Sequence, residues 1–219
     1  MSASSPNRSW TSAFGRACGV LLDTIVRWLA LSRINPNVLT FMGLVVNTWA
    51  AILFGSATAL TQQRLFFYAG LVIIGSGFFD LVDGAVARAT NRVTRFGAFF
   101  DSVVDRYSDA SQFLGLLVFY ARGDRFFYVV LTAFVMVSAI MVSYTRARAE
   151  SLIGSCRVGF MERPERLVLV IIGALFNRMA PVLWVIAVLS TLTVIHRMRY
   201  TWTRTQDSPN TAAKAGQAA

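Results

Sequence analysis

Cysteine is scarce in this chain of 219 residues: there are two, Cys18 and Cys156, far apart and without ligand-like spacing. That argues against a disulfide framework or a zinc site and leaves both thiols as neutral filler. Charge is scarce as well, at 15% of residues against 55% hydrophobic. Soluble domains carry roughly 25% charged residues, so an ordinary soluble fold is excluded, and the mean hydropathy of +0.55 agrees. A cleavable secretory signal is not expected either. Arg8, Arg16 and Arg27 interrupt the N-terminal region before any apolar run of signal length, and no small-residue cleavage site follows one. No internal repeat and no second domain is visible.

What the chain does have is a series of apolar runs. A hydrocarbon core about 30 Å thick needs roughly 20 largely apolar residues per helix. Residues 38–60, 65–81, 126–144, 167–179 and 181–195 qualify, the last of them short, and 97–120 qualifies only if its aspartates are excused by function. The expected fold is therefore all-α, an integral membrane bundle of about six transmembrane helices preceded by an amphipathic juxtamembrane helix. That first helix is read over 9–34, where Trp10, Phe14, Cys18, Leu21, Leu22, Ile25 and Leu29 recur at helical spacing while Arg16, Asp23 and Arg27 turn away. A short soluble cap packed on the bundle is the alternative. Residues 1–8 read as a mobile N-terminus, 35–203 as the six-helix catalytic domain and 204–219 as a polar, disordered tail. Asn35 and Pro36 supply the N-cap and first position of the first span, and Pro164 restarts a helix after the interfacial loop 150–166. Gly75 and Gly77 read as packing positions. The runs Phe66, Phe67, Tyr68 and Phe126, Phe127, Tyr128 read as an interface belt, and His196 as an interfacial side chain.

The formal net charge of +10 admits nucleic acid or an anionic lipid surface as partner. In so apolar a chain the lipid surface is the reading taken, and no nucleic-acid partner is expected. The bases cluster in alternate connections. Arg8, Arg16, Arg27 and Arg33 precede the first span, Arg88, Arg92 and Arg95 follow the second, and Arg146, Arg148, Arg157, Arg163 and Arg166 follow the fourth. Arg197, Arg199, Arg204 and Lys214 follow the last. This alternation puts both termini and the two basic connections on the cytoplasmic side of a multi-pass cell (inner) membrane protein.

Within this setting the stretch DLVDGAVARATNRVTRFGAFFDSVVD, residues 80–105, carries four aspartates. Asp80 and Asp83 are three apart near the end of the second span, and Asp101 and Asp105 four apart near the start of the third, so each pair shares a helix face. Both pairs flank one short Arg-rich connection, and antiparallel helices would gather all four carboxylates at the cytoplasmic end. Such a cluster must protonate or capture cations. Hard divalent ions are what carboxylate oxygens bind, and two of them form the clamp used in phosphoryl transfer. Interfacial salt bridges to Arg88, Arg92, Arg95 and Arg106 are the structural alternative, and a proton or sodium relay in a cation-coupled membrane transporter is another.

The positions Asp80, Asp83, Gly84, Ala87, Arg88, Gly97, Asp101 and Asp105 fill every fixed place of D-x-x-D-G-x-x-A-R-x8-G-x-x-x-D-x-x-x-D, and the chain here resembles the CDP-alcohol phosphotransferase family. The resemblance extends over nearly the whole chain. It implies a metal-dependent transferase in which an alcohol attacks the β-phosphate of a CDP-linked alcohol and CMP leaves. Two ions, Mg²⁺ or Mn²⁺, would be held by Asp80, Asp83, Asp101 and Asp105, with Asp105 also taking the hydroxyl proton. Asn37, Val38, Leu39, Thr40, Gly84, Arg88 and Thr94 would surround the CDP-lipid. The resemblance also implies a homodimer. Asp109 has no role in the motif and reads as a support behind the site or as a solvated partner of Arg106.

The acceptor must be read elsewhere. The segments SYTRARAE, GFMERPERLVL and HRMRYTW are similar to those of bacterial phosphatidylinositol phosphate synthases, which join inositol phosphate to CDP-diacylglycerol. By that resemblance Arg146, Arg166 and Arg197 would converge on the acceptor phosphate, a group that planar guanidinium ions suit. Lysine is commoner in the family where Arg146 stands. Glycerol 3-phosphate is the competing acceptor.

Overall fold

The computed structural model describes residues 36–89 and 94–206 and, within them, every side chain except those of residues 36, 81, 83, 84 and 86–89. The expected amphipathic helix over 9–34, the stretch 1–8 and the tail from 207 onward lie outside the described residues. The described residues form six helices and no strand: α1 Pro36–Ser56, α2 Gln62–Ala89, α3 Arg95–Arg122, α4 Phe126–Ile153, α5 Arg163–Leu175 and α6 Met179–Gln206. Each corresponds to one expected apolar run. Most extend further, because polar ends continue the helix past the apolar window that the sequence displays.

Three of the helices are long and apolar enough to cross a membrane: Asn37–Ser56, Phe126–Ile153 and Met179–Gln206. With 13 residues, α5 is about 20 Å long, short of a hydrocarbon core. The outward surface is apolar nonetheless. Phe41, Trp49, Ile52, Phe134, Val137 and Trp184 are each about half exposed, the reverse of a water-facing surface and the arrangement expected of a chain embedded in lipid.

Each helix has two principal neighbours, α1 with α2 and α3, α4 with α3 and α6, and α5 with α2 and α6. The circuit therefore closes in the order α1, α2, α5, α6, α4, α3. Its interior divides lengthwise. One half is an apolar core to which all six helices contribute, among them Phe54, Ile73, Leu116, Val135, Val170 and Leu183. There Phe66 meets Phe54 and Phe119 edge to face, at 4.9 Å between centroids in both cases. Phe66 is thus fully buried, not part of the interface belt expected for its run. Successive helical residues point about 100° apart, so three aromatics in a row cannot share one face. Phe67 and Tyr68 do face outward.

Lipid tails are as apolar as leucine, so close packing holds such a bundle more than solvent exclusion does. The tightest approach is at Gly115 of α3, where an added Cβ would lie 2.2 Å from the Ala51 carbonyl oxygen of α1. Gly75 and Gly77, expected to pack, have nothing within 4 Å of such a Cβ. Gly75 instead lines an apolar groove of about 650 Å³ between α1 and α2, with Phe41, Trp49, Val72 and Phe79.

Above the apolar half, a polar layer ties α1, α2 and α3 together. Asn47 donates to Ser76 Oγ and to the Gly43 carbonyl, and Gln112 donates to Asn47 Oδ1. All three polar side chains are buried, so each donor and acceptor needs a partner from this set. Beyond this layer the bundle becomes charged.

Candidate active site

The charged half is assembled from helix ends: the starts of α1, α3 and α5 and the late turns of α2, α4 and α6. Asp80 sits late on α2, and Asp101, Asp105 and Asp109 follow one another at helical spacing on α3. Antiparallel packing brings Asp80 of α2 and Asp105 of α3 to one shared partner. Asp80 Oδ2 lies 3.0 Å from Arg163 Nη1, and Asp105 Oδ1 lies 3.0 Å from Arg163 Nη2. Asp101 stands close enough to Asp80 and Arg163 to feel both charges. The side chains of Asp83, Gly84 and Arg88 lie outside the described residues, although their backbone continues α2 just beyond Asp80.

The partner of these acids is one that the sequence does not suggest. Of the bases considered as salt-bridge partners, Arg106 reaches Asp105 at 3.8 Å only, and Arg95 has no ion pair with the acids among the described residues. Arg163, the first residue of α5, takes the central place instead. Asp109 is neither solvated nor paired with Arg106. It is buried, bonded to Arg166 Nη2, and 3.7 Å from Arg163 Nε. The sequence carries only a partial trace of this arrangement: Asp109 continues the i, i+4 series of Asp101 and Asp105, and Arg163 and Arg166 are three apart on a helix start, but neither spacing says which helix meets which.

The residues expected around a CDP-lipid divide. Asn37, at the start of α1, lies with its Oδ1 3.4 Å from the position a Cβ on Gly97 would take, so the beginnings of α1 and α3 adjoin. Leu39 and Thr40 are buried, whereas Val38 is exposed. Thr94 is the N-cap of α3, its Oγ1 accepting the Gly97 N–H at 2.9 Å. That contact already accounts for a hydroxyl residue there.

The three arginines expected to meet an acceptor phosphate do not all share one partner. Glu162 joins two of them: Arg146 Nη1 lies 3.0 and 3.1 Å from its two carboxylate oxygens, and Arg197 Nη2 lies 2.9 Å from Oε1. Arg166 turns to Asp109 instead. Arg197 is 1% exposed and also donates to the Val158 and Val142 carbonyls. The loop that carries Glu162 is held on α6 by Thr193, whose Oγ1 accepts the N–H of Phe160 at 3.1 Å and of Met161 at 3.0 Å. Gly159, at φ +131°, would set a Cβ 2.6 Å from Thr193 Cγ2. One buried N–H-bearing atom on each of two neighbouring arginines, Arg163 Nε and Arg166 Nη1, has no hydrogen-bond acceptor.

Among the described residues no three side chains of Asp, Glu, His or Cys are close enough together to hold a metal ion. The donor set nonetheless suits a divalent cation: it consists of carboxylate oxygens alone, the ligands that hard cations take, and a cationic group already bridges Asp80 and Asp105.

Residues 33–195 match the family described as CDP-alcohol phosphatidyltransferase. An archaetidylinositol phosphate synthase of Pyrococcus horikoshii is 37% identical over 179 residues, which is 81% of this chain and 88% of that protein. A phosphatidylinositol phosphate synthase of Mycobacterium tuberculosis is 36% identical over 205 residues, 88% of both chains. The crystal structure of the M. tuberculosis phosphatidylinositol phosphate synthase with CDP-DAG bound superposes with a TM-score of 0.74 at 32% identity, over 83% of this chain and 94% of that one. A second structure of that synthase, in complex with manganese and citrate, gives a TM-score of 0.70 at 32% identity over 83% and 89%.

Proposed function

The chain belongs to the CDP-alcohol phosphatidyltransferase family, and from that premise we propose that it transfers a phosphatidyl group from CDP-diacylglycerol to inositol phosphate. It is an enzyme of that class, a membrane protein of phospholipid biosynthesis that uses a divalent cation, so the transporter alternative falls. The finer reading has two ions, Mg²⁺ or Mn²⁺, at Asp80, Asp83, Asp101 and Asp105. It has six spans in a cell (inner) membrane, a site open to the cytoplasm, and a homodimer.

The observation that carries this reading is that two consecutive residues tie two oppositely charged groups: Arg163 bonds the Asp80 and Asp105 carboxylates, and Glu162 bonds the Arg146 and Arg197 guanidiniums. A divalent cation, when bound, supplies charge neutralisation for a pyrophosphate and lowers the pKa of a coordinated hydroxyl. The chain's own residues do the rest. Arg146 and Arg197, which now clasp the Glu162 carboxylate, would clasp the acceptor's phosphate in its stead, with Arg166 beside them. Asn37, Leu39, Thr40, Gly84, Arg88 and Thr94 would orient the cytidine diphosphate, and Val38, exposed on the outer face, would border the lipid. The apolar groove between α1 and α2 begins at Phe79, next to Asp80, and suits an acyl chain. Asp105 would accept the acceptor hydroxyl's proton as its oxygen bonds to the β-phosphorus and the bond from that phosphorus to the CMP oxygen breaks. The names of the relatives favour inositol phosphate over glycerol phosphate.

The test is direct. Purified protein with CDP-diacylglycerol is given labelled inositol phosphate or glycerol 3-phosphate, and CMP is measured. Release with inositol phosphate, dependent on Mg²⁺ or Mn²⁺ and lost in Asp105→Asn, is expected. Release with glycerol 3-phosphate alone would overturn the acceptor assignment.

A further inference from the structure

Arg163 holds a position that the reaction above leaves unexplained. Its guanidinium lies 3.0 Å from both Asp80 and Asp105, carboxylates from different helices, and 3.7 Å from Asp109. Its side chain is 24% exposed. The planar fork suits this bridging geometry, and the group stays charged at any working pH. Two of the carboxylates that it holds are those read above as metal ligands, and the inference rests on that reading.

A carboxylate oxygen engaged by a charge-assisted N–H bond has less to offer a cation. A monopositive and a divalent charge a few ångströms apart also repel strongly at the low effective dielectric of a partly buried site. The Arg163 contacts and a divalent ion on Asp80 and Asp105 therefore exclude one another. Arg163 has somewhere to go. It stands at the first turn of α5 on a long flexible stem, its Nε has no hydrogen-bond acceptor, and Asp109, which no part of the reaction assigns to metal, is already its third neighbour.

We propose that Arg163 is the chain's own counter-cation for the metal site: it draws Asp80 and Asp105 together across α2 and α3, and an incoming divalent ion displaces its guanidinium toward Asp109. Metal affinity is then set by a competition built into the fold. A ligand whose competent site is open only about one-tenth of the time binds about tenfold more weakly than its intrinsic affinity allows, so removing the competitor tightens binding by about that factor.

The full-length protein in detergent, without substrate, is titrated with Mn²⁺, and free Mn²⁺ is read by electron paramagnetic resonance. The thermal midpoint is recorded in EDTA and in Mn²⁺. Arg163→Gln is expected to bind Mn²⁺ about tenfold more tightly than the wild type, to melt lower in EDTA and to gain more from Mn²⁺. Arg163→Lys, which keeps the charge but loses the fork, is expected to fall between the two and carries the test if the glutamine variant does not fold. A merely structural arginine would not tighten metal binding when removed. If the wild type binds Mn²⁺ and the folded variants bind it no more tightly, this inference alone is overturned. If the wild type binds none, the metal reading is overturned with it.

Discussion

Replacing Arg197 with methionine is expected to cost about 1.5–3 kcal/mol of stability, and the structure indicates where that loss arises. The side chain is buried, and its three nitrogens bond the Val158 carbonyl, the Val142 carbonyl and Glu162. A hydrogen bond from a charged donor contributes about 1.5–3 kcal/mol, so three would set an upper limit well above the expected loss. Two of them are discounted. Glu162 is 37% exposed and keeps Arg146 at 3.0 Å, and the Val142 carbonyl still accepts Thr145 Oγ1 at 3.2 Å. The Val158 carbonyl carries most of the damage, and it lies in the loop whose far end places Glu162, Arg163 and Arg166. For a chain of this size 1 kcal/mol moves the midpoint by about 2–4 °C. Thermal unfolding of Arg197→Met in detergent should therefore fall by about 3–12 °C. The KM for the acceptor should rise more than that for the lipid. A midpoint within about 2 °C of the wild type would refute the assignment of Arg197 as the anchor of this loop, and an equal rise in both KM values would refute its place at the acceptor phosphate.

The remaining predictions concern packing and buried charge. Gly115→Ala drives a methyl group into the Ala51 carbonyl and should destabilise by about 1–3 kcal/mol or more, because backbone cannot rotate away. Gly75→Ala meets open space and should be neutral or raise the thermal midpoint through the roughly 1 kcal/mol advantage of alanine over glycine in a helix. Asp109→Ala leaves the buried Arg166 without its carboxylate and should cost about 3–5 kcal/mol, and adding Arg166→Met should recover much of that loss in the same unfolding assay. Asn47→Leu strips partners from Ser76 and Gln112 and should lower stability by about 1–3 kcal/mol while leaving metal binding in place.

The helix order and the acids were legible from the sequence because both are local patterns. Apolar runs mark spans, and spacings of three and four mark a shared face. What escaped is long-range. Arg163 and Glu162 look like ordinary residues of a basic interfacial loop until α5 packs on α2 and brings Arg163 to Asp80 and Asp105. The partner of Asp109 was hidden for the same reason. Phe66 was misread because composition was weighed without direction. Gly75 and Gly77 were misread because a glycine in an apolar helix signals either close packing or an open groove, and only the neighbouring helix decides which. The tightest contact that demands glycine among the described residues, Gly115 on Ala51, sits in a run with no such signal.

On the proposed reading, the acids of α2 and α3 form one divalent-cation site facing the CDP-lipid. Manganese anomalous scattering from crystals grown with Mn²⁺ and CDP-diacylglycerol tests it most directly. Peaks coordinated by Asp80 and Asp105 are expected, with Asp83 and Asp101 completing the shell and Arg163 withdrawn. Peaks at other carboxylates, or Asp80 and Asp105 still bonded to Arg163 with the nucleotide in place, would contradict it.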